Sequence, residues 1–117
     1  FLHVDDFAEA CLFTLENWDP SGADAPRDKD GNPLYHLNVG TGKDISIKDL
    51  TNKIASETGF SGEIFWDKSK PDGTPKKQLD ITQIKRLGWE SKISLNEGIK
   101  SVVKLFQEEI NKNSIRI

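Results

Sequence analysis

Four lysines within ten residues surround a proline–aspartate–glycine tripeptide, Pro71-Asp72-Gly73. Proline fixes one backbone dihedral and glycine accepts positive ones, so the tripeptide predicts a turn. Lysine ammonium groups and turn amides suit a diphosphate, and Asp72 can accept hydrogen bonds from hydroxyls or from a base. The same composition is typical of a solvated basic turn, and composition alone favours that alternative. The lysines are Lys68, Lys70, Lys76 and Lys77.

A second glycine-rich segment, Gly40-Thr41-Gly42, lies between a predicted strand and a predicted helix. Such glycines let the backbone approach a phosphate, and a helix amino terminus favours an anion. The dinucleotide-binding fingerprint needs a third glycine in register, and Ile45 occupies that position. The segment therefore predicts a tight strand-to-helix turn rather than a dinucleotide site.

No complete set of catalytic residues can be recognised. His3 and His36 lie on predicted strands without the cysteine or carboxylate spacing of a metal site, so both are interpreted as structural or surface residues. Tyr35 is the only tyrosine, and Val39 stands where a Tyr-x-x-x-Lys pair needs lysine. The single cysteine, Cys11, lies in an apolar helical stretch and is predicted to be a small core residue.

Strands alternate with helices that carry start and stop signals, which favours an α/β fold. The predicted strands are Phe1–Val4, Leu34–Val39 and Glu63–Trp66. The predicted helix caps are Asp5 or Asp6, Ser46, Asp80 and Ser94, with capping boxes to Asp49 and Glu97 and glycine stops at Gly59 and Gly88. We expect a small domain of short, largely parallel strands packed with about four helices.

Two further features of the sequence are its longest predicted loop and the way in which the chain begins. The segment from Trp18 to Pro33 is rich in Pro, Gly, Asp and Ala and is predicted to be a variable loop. The chain has no methionine and starts in mid-pattern, so we expect it to be a piece of a longer protein.

Composition excludes several classes of function. The chain has 117 residues and a formal net charge of −3, which argues against nucleic acid as a partner. No apolar run approaches the roughly 20 residues that span a bilayer, and no signal peptide is recognisable, so we expect no membrane partner and a cytoplasmic location. One cysteine cannot form an internal disulfide, which fits a reducing compartment.

Taken together, these motifs resemble the carboxy-terminal third of GDP-L-fucose synthases, which are extended short-chain dehydrogenase/reductases. The resemblance runs from residue 1 to about residue 110, and the loop Ser69–Lys77 is the motif most specific to this branch. The other motifs that carry the resemblance are Phe1–Asp6, Leu37–Gly42, Ile47–Leu50, Leu79-Asp80, Leu87–Trp89, Ile93–Leu95 and Gly98-Ile99. Three segments among them, His3–Asp6, Asn38–Gly42 and Leu87–Trp89, resemble many extended short-chain dehydrogenase/reductases that act on nucleotide sugars.

The resemblance implies a two-domain parent enzyme. Its amino-terminal Rossmann domain would bind NADP(H) and hold the catalytic Ser, Tyr and Lys. The parent would epimerise C3 and C5 of GDP-4-keto-6-deoxy-D-mannose and reduce C4 to give GDP-L-fucose, commonly as a homodimer. Residues 1–117 would then be the carboxy-terminal substrate-binding domain, inactive by itself because none of the family's catalytic residues matches a position here.

The resemblance also implies roles for three residues of the lysine loop. Asp72 matches a substrate-contacting acid, and Lys77 matches a basic residue near the GDP diphosphate. Lys76 is the weaker candidate, since it is adjacent and can point elsewhere.

Two alternatives stay open at the level of sequence. The chain can be the substrate domain of a different nucleotide-sugar epimerase, dehydratase or reductase. It can also be a free-standing nucleotide-binding module without chemistry, for which a gene encoding only these residues would be the evidence.

Overall fold

The computed structural model describes residues 1–112 and divides the chain into two compact units. The first contains Phe1–Lys43 and Gln78–Ile93, and the second contains Asp44–Lys77 and, of the described residues, 94–112. The described part has four α-helices, as expected. They are α1 (Val4–Asn17) and α3 (Thr82–Leu87) in the first unit, and α2 (Ile47–Thr58) and α4 (Leu95–Asn111) in the second.

The predicted strands do not form within residues 1–112. Phe1–Val4 runs straight into α1, whereas Leu34–Val39 and Glu63–Trp66 form no strand ladder. Beside Leu34–Val39, pairing stops after one backbone bond, from the Leu34 amide to the Pro26 carbonyl at 3.2 Å, so no ladder forms. The one isolated bridge in the described part is antiparallel, between Arg27 and Pro33.

Helix α1 begins differently from the prediction. His3, with extended backbone, is the capping residue, and its Nδ1 accepts a hydrogen bond from the Asp5 amide at 3.2 Å. The expected cap at Asp5 or Asp6 is therefore wrong, since both aspartates lie inside the first turn. Their negative charge still suits the positive end of the helix.

Asp6 has a different role, which joins α1 to the segment before α4. Its side chain is buried, with 2% of its surface exposed. One carboxylate oxygen accepts from the Lys92 amide at 3.1 Å and the other from the Ile93 amide at 3.0 Å. A buried carboxylate is tolerated only when hydrogen bonds replace its hydration, and two charge-assisted bonds do so here. An exposed ion pair between Glu9 and Lys92 lies beside this contact.

The core of the first unit forms around the face of α1 that carries Asp6. Helical spacing places Ala10 one turn after Asp6 and Phe13 on the same side. Ala10 packs with three other buried apolar side chains, and partly buried residues surround them. The buried partners are Ile81, Ile84 and Trp89, with Leu2, Phe13 and Val39 around them.

The opposite face of α1 is apolar but exposed. Val4, Phe7, Leu12 and Leu15 are each more than half exposed, and Leu15 reaches 82%. Cys11 lies in the same exposed region, so its prediction as a core residue is wrong. A helix that is apolar on both sides has more packing surface than the described residues cover.

The second unit is built on the contact between α2 and α4. Ser94 and Glu97 form the predicted capping box of α4. Ser46 caps α2 by accepting from the Asp49 amide at 3.0 Å, but the Asp49 carboxylate accepts from the Ser46 hydroxyl rather than from its amide. Aspartate is one methylene shorter than the glutamate of a full capping box, so that part of the prediction is wrong.

Only part of the apolar spacing on these two helices is covered in the described structure. Leu50 and Ala55 of α2 are half-buried, whereas Ile47 and Ile54 are exposed. On α4 the half-buried apolar residues are Leu95, Ile99 and Val103, and the exposed ones are Val102, Phe106 and Ile110. Among residues 1–112, no helix has the length and apolar character needed to cross a membrane.

We expect Asp6→Asn to destabilise the first unit. An asparagine leaves one acceptor oxygen and turns an NH₂ group toward a backbone amide, so a buried donor loses its partner. The expected loss is about 2–3 kcal/mol of unfolding free energy, measured by urea denaturation. Asp5→Asn is the matched control, because Asp5 is exposed and bonds neither amide. Equal stability of the two variants would contradict the structural role of Asp6.

Candidate functional site

The lysine loop, residues 67–78, is exposed along its whole length. The turn expected at Pro71-Asp72-Gly73 is wrong: Gly73 is not among the glycines with positive φ, and the turn lies earlier, at Lys68 and Ser69. Bends follow at Lys70 and at Pro75, and the rest of the loop has no regular secondary structure. The loop therefore presents its side chains from an irregular, exposed backbone.

The four lysines and Asp72 of the lysine loop are not paired with other groups in residues 1–112. Lys68, Lys70, Lys76, Lys77 and Asp72 form no hydrogen bond or ion pair within that range. Four ammonium groups thus stand against two carboxylates, those at positions 67 and 72. The three predicted substrate contacts lie together on this loop, with their charged groups available to a ligand.

Asp67 fixes the beginning of the loop and does not neutralise its lysines. Its carboxylate accepts from the Ser69 amide at 2.9 Å. Hydrogen bonding to the Ser69 side chain and backbone holds the pKa of Asp67 below its ordinary value. Asp67 therefore stays ionised to lower pH, with its hydrogen-bonding capacity directed to its own turn.

The glycines of Gly40-Thr41-Gly42 serve packing and chain direction. Gly42 has φ 67°, and a Cβ added there would lie 2.7 Å from Ile81 Cδ1. The Gly42 carbonyl accepts from the Gln78 side chain at 2.6 Å. Both observations agree with a tight turn and leave no open backbone cradle for a phosphate at Gly42.

The cap of α3 is Ile81, so the cap predicted at Asp80 is wrong by one residue, although Asp80 still bonds the first turn. Its Oδ1 accepts from the Thr82 amide at 2.9 Å, and its carbonyl accepts from the Asn38 side chain at 3.1 Å. The Thr82 side-chain bond is the main cause that holds the pKa of Asp80 low, with attraction to Arg86 a smaller one. Asp80 is therefore a structural anion of the first unit.

Neither histidine assembles a reaction centre in the described chain. His3 caps α1. His36 is exposed. Within residues 1–112, no group of three His, Cys, Asp or Glu side chains could hold a metal ion.

Sequence reasoning missed the contact between Asp6 and the amides of Lys92 and Ile93. An acidic residue in a first turn looks like an ordinary helix cap, and nothing in its neighbourhood points to a partner 86 positions away. Only the burial of Asp6 in the folded unit distinguishes it from Asp5.

Comparison with known proteins extends these observations. No family model matches the chain. Over 116 residues it is 42% identical to GDP-L-fucose synthase of Escherichia coli strain K12, a match that covers 92% of this chain and 32% of that protein. The chain is homologous to the GDP-L-fucose synthases. It spans about 30% of the length of the curated relatives it matches.

Solved structures of GDP-sugar reductases resemble this GDP-L-fucose synthase homologue. The crystal structure of a GDP-6-OMe-4-keto-L-xylo-heptose reductase from C. jejuni is 36% identical with a TM-score of 0.81, covering 93% of this chain and 30% of that one. GDP-mannoheptose C4 reductase from Campylobacter jejuni, solved with NADP bound, is 34% identical with a TM-score of 0.72, covering 92% and 31%. The chain has the fold of the matching part of such extended short-chain dehydrogenase/reductases.

We expect Gly42→Ala to destabilise this GDP-L-fucose synthase homologue by about 1–3 kcal/mol, because alanine is strained at positive φ and its Cβ would collide with Ile81. Gly59→Ala is the matched control: Gly59 has the same φ of 67°, but a Cβ there meets nothing within 4 Å. Urea denaturation should show a larger loss for Gly42→Ala. Equal losses would mean that the contact with Ile81 contributes nothing.

Proposed function

We propose that this chain is the GDP-sugar-binding part of a GDP-L-fucose synthase. The parent enzyme epimerises C3 and C5 of GDP-4-keto-6-deoxy-D-mannose and reduces C4 with NADPH to give GDP-L-fucose. The observation that carries the proposal is the exposed lysine loop, whose ammonium groups have no partner in residues 1–112. The curated relative at 42% identity supports the choice of substrate.

Within this proposal, Lys77 binds the GDP diphosphate, and Lys76 supplies a second positive charge beside it. A diphosphate carries about two negative charges, for which a lysine ammonium is a suitable point-charge partner. Asp72 accepts hydrogen bonds from ligand hydroxyls or from the base. All three residues are exposed, so a ligand can reach their side chains.

The described residues do not fit an NADP(H) site. The dinucleotide fingerprint is incomplete, because Ile45 stands at the third-glycine position. Gly42, which would have to approach a pyrophosphate, is packed against Ile81 and bonded through its carbonyl to Gln78. We therefore assign cofactor binding and hydride transfer to an amino-terminal Rossmann domain of the parent, and no chemical step to residues 1–112.

The kinetic prediction concerns the full-length parent enzyme. Lys77→Ala should raise the KM for GDP-4-keto-6-deoxy-D-mannose about tenfold, because it removes a charge-assisted contact with the diphosphate. Asp72→Ala should raise KM as well, and kcat should change little in either variant. NADPH oxidation measures both constants.

Lys68→Ala is the matched control for this experiment, since it removes the same charge from the same loop at a position without a proposed contact. Equal effects at positions 68 and 77 would reduce the loop to a general electrostatic surface. Activity with a different GDP-sugar, together with none on the keto-deoxymannose substrate, would discard the fucose assignment and keep the site.

The exposed apolar face of α1, formed by Val4, Phe7, Leu12 and Leu15, supports a partner for this chain in the parent. We propose that this face packs against the amino-terminal Rossmann domain, because the chain spans only about 30% of its curated relatives. An apolar helix face of this kind is typical of a surface covered by another part of the protein.

We also propose that the parent is a cytoplasmic homodimer, as the family resemblance implies.

We expect Leu12→Gln to destabilise the full-length parent, because it places a polar side chain in the proposed apolar contact with the Rossmann domain. In residues 1–117 the same face is exposed, so the substitution should reduce self-association of this chain through that face. Thermal unfolding of the parent measures the first effect and sedimentation velocity measures the second. Glu16→Gln is the control, because Glu16 is an exposed polar residue of the same helix. An unchanged parent melting temperature would contradict the assigned contact.

A GDP-sugar reductase without epimerase activity is the second candidate. The TM-score of 0.81 to a GDP-6-OMe-4-keto-L-xylo-heptose reductase favours it. The lysine loop would bind the same GDP moiety in both enzymes. Incubation of the parent and substrate in deuterated water separates them, since exchange at C3 and C5 accompanies epimerisation only.

A further inference from the structure

Two adjoining cavities open in the first unit, outside the lysine loop. The larger, of about 300 Å³, is lined by residues 23–27 and by Gln83, Arg86 and Leu87. The smaller, of about 240 Å³, shares Asp24 and Leu87 with it and extends to Trp18. Both lie between the loop from Trp18 to Pro33 and helix α3. This loop was predicted from sequence to be only a variable segment.

The base of this loop is an ordered turn. The Asp28 carboxylate accepts from the amides of Asp30 and Asn32, at 2.9 Å and 2.8 Å. The Leu34 amide donates to the Pro26 carbonyl at 3.2 Å, and Gly31 has φ 84°. These bonds hold Arg27 at the edge of the larger cavity.

The arginines of the chain are concentrated at this cavity. The sequence has three, at positions 27, 86 and 116, and the structure describes the first two. Both line the larger cavity. Arg27 donates to the Gly31 carbonyl at 3.3 Å, and Arg86 has an electrostatic attraction to Asp80 but no hydrogen bond within residues 1–112. Guanidinium groups bind carboxylates and phosphates through paired donors, which lysine cannot do.

The Asp24 carboxylate at the cavities is suited to a hydroxylated ligand. It is exposed, lines both cavities and forms no hydrogen bond within residues 1–112. A carboxylate is an acceptor, and ligand hydroxyls are the matching donors. Gln83 Oε1 and Trp18 Nε1 also lack hydrogen-bond partners in the described structure, but both atoms are buried, so a ligand in the cavities does not contact them.

We propose that these cavities form a binding site for a phosphorylated sugar. The phosphate binds Arg27 and Arg86, and a sugar hydroxyl donates to Asp24. The volume of the larger cavity is at the lower end of ligand pockets, which start at about 300 Å³ and are usually concave and largely pre-formed. This site is independent of the proposed GDP-sugar site, because it uses no residue of the lysine loop.

The test is a titration of ¹⁵N-labelled chain, followed through its amide spectrum, with glucose 6-phosphate, inorganic phosphate, glucose and GDP in parallel. Glucose 6-phosphate should shift the amides of residues 23–27 and 83–87 saturably, and more tightly than phosphate or glucose. Arg86→Gln should weaken binding about tenfold. Lys85→Gln, which removes a neighbouring charge on α3 outside the cavity lining, should change it less than twofold.

Two further variants, at Arg27 and Asp24, test the proposed phosphate and hydroxyl contacts separately. Arg27 lies outside the helices, so Arg27→Gln does not disturb the short helix α3 as Arg86→Gln could. It should weaken binding as much as Arg86→Gln does. Asp24→Ala should reduce the preference for glucose 6-phosphate over inorganic phosphate, because it removes both a hydroxyl acceptor and a charge that repels the phosphate. Absence of shifts at these amides, equal binding of inorganic phosphate, or a stronger response to GDP at the same residues would overturn the proposal.

Discussion

The buried carboxylate of Asp6 is the contact on which the first unit depends. It joins the first turn of α1 to two backbone amides, those of Lys92 and Ile93, across 86 positions of sequence. The two amides lie immediately before Ser94, where the capping box of α4 begins. A single side chain thus fixes the last residues of the first unit to the helix that carries Ala10 of its core.

The lysine loop is governed by the opposite physical situation. Its four lysines and Asp72 are exposed and have no partner in residues 1–112. Exposed ammonium groups without internal partners add little to stability. Their density is therefore not explained by structural stabilisation, which agrees with the proposed role in ligand binding. The first unit is organised by a buried anion, whereas the proposed ligand loop consists of cations left in solvent.

The sequence predicted best those features that depend on near neighbours. The capping box of Ser94 and Glu97, the glycine stops at Gly59 and Gly88, and the turn role of Gly42 follow from local backbone chemistry, and the structure has them. It predicted poorly those features that need a partner distant in sequence. The strand predicted at Leu34–Val39 does not form, and Cys11 lies on a helix face that the described residues do not cover. The Asp6 contact cannot be predicted from the neighbouring sequence, because Asp5 and Asp6 are adjacent residues of the same type and only the folded structure shows which one is buried.

The lysine loop also affects the rate at which an anionic ligand encounters the protein. Charges without nearby counterparts project their field into solvent until salt screens it, over about 10 Å at roughly 0.1 M ionic strength. On a chain with a net charge of −3, such a local positive region draws anions toward one surface while the rest of the molecule repels them. Electrostatic steering of this kind raises the rate of productive encounter and falls as ionic strength rises. The four lysines would thus act on a nucleotide sugar by long-range attraction, before any single contact with the diphosphate forms.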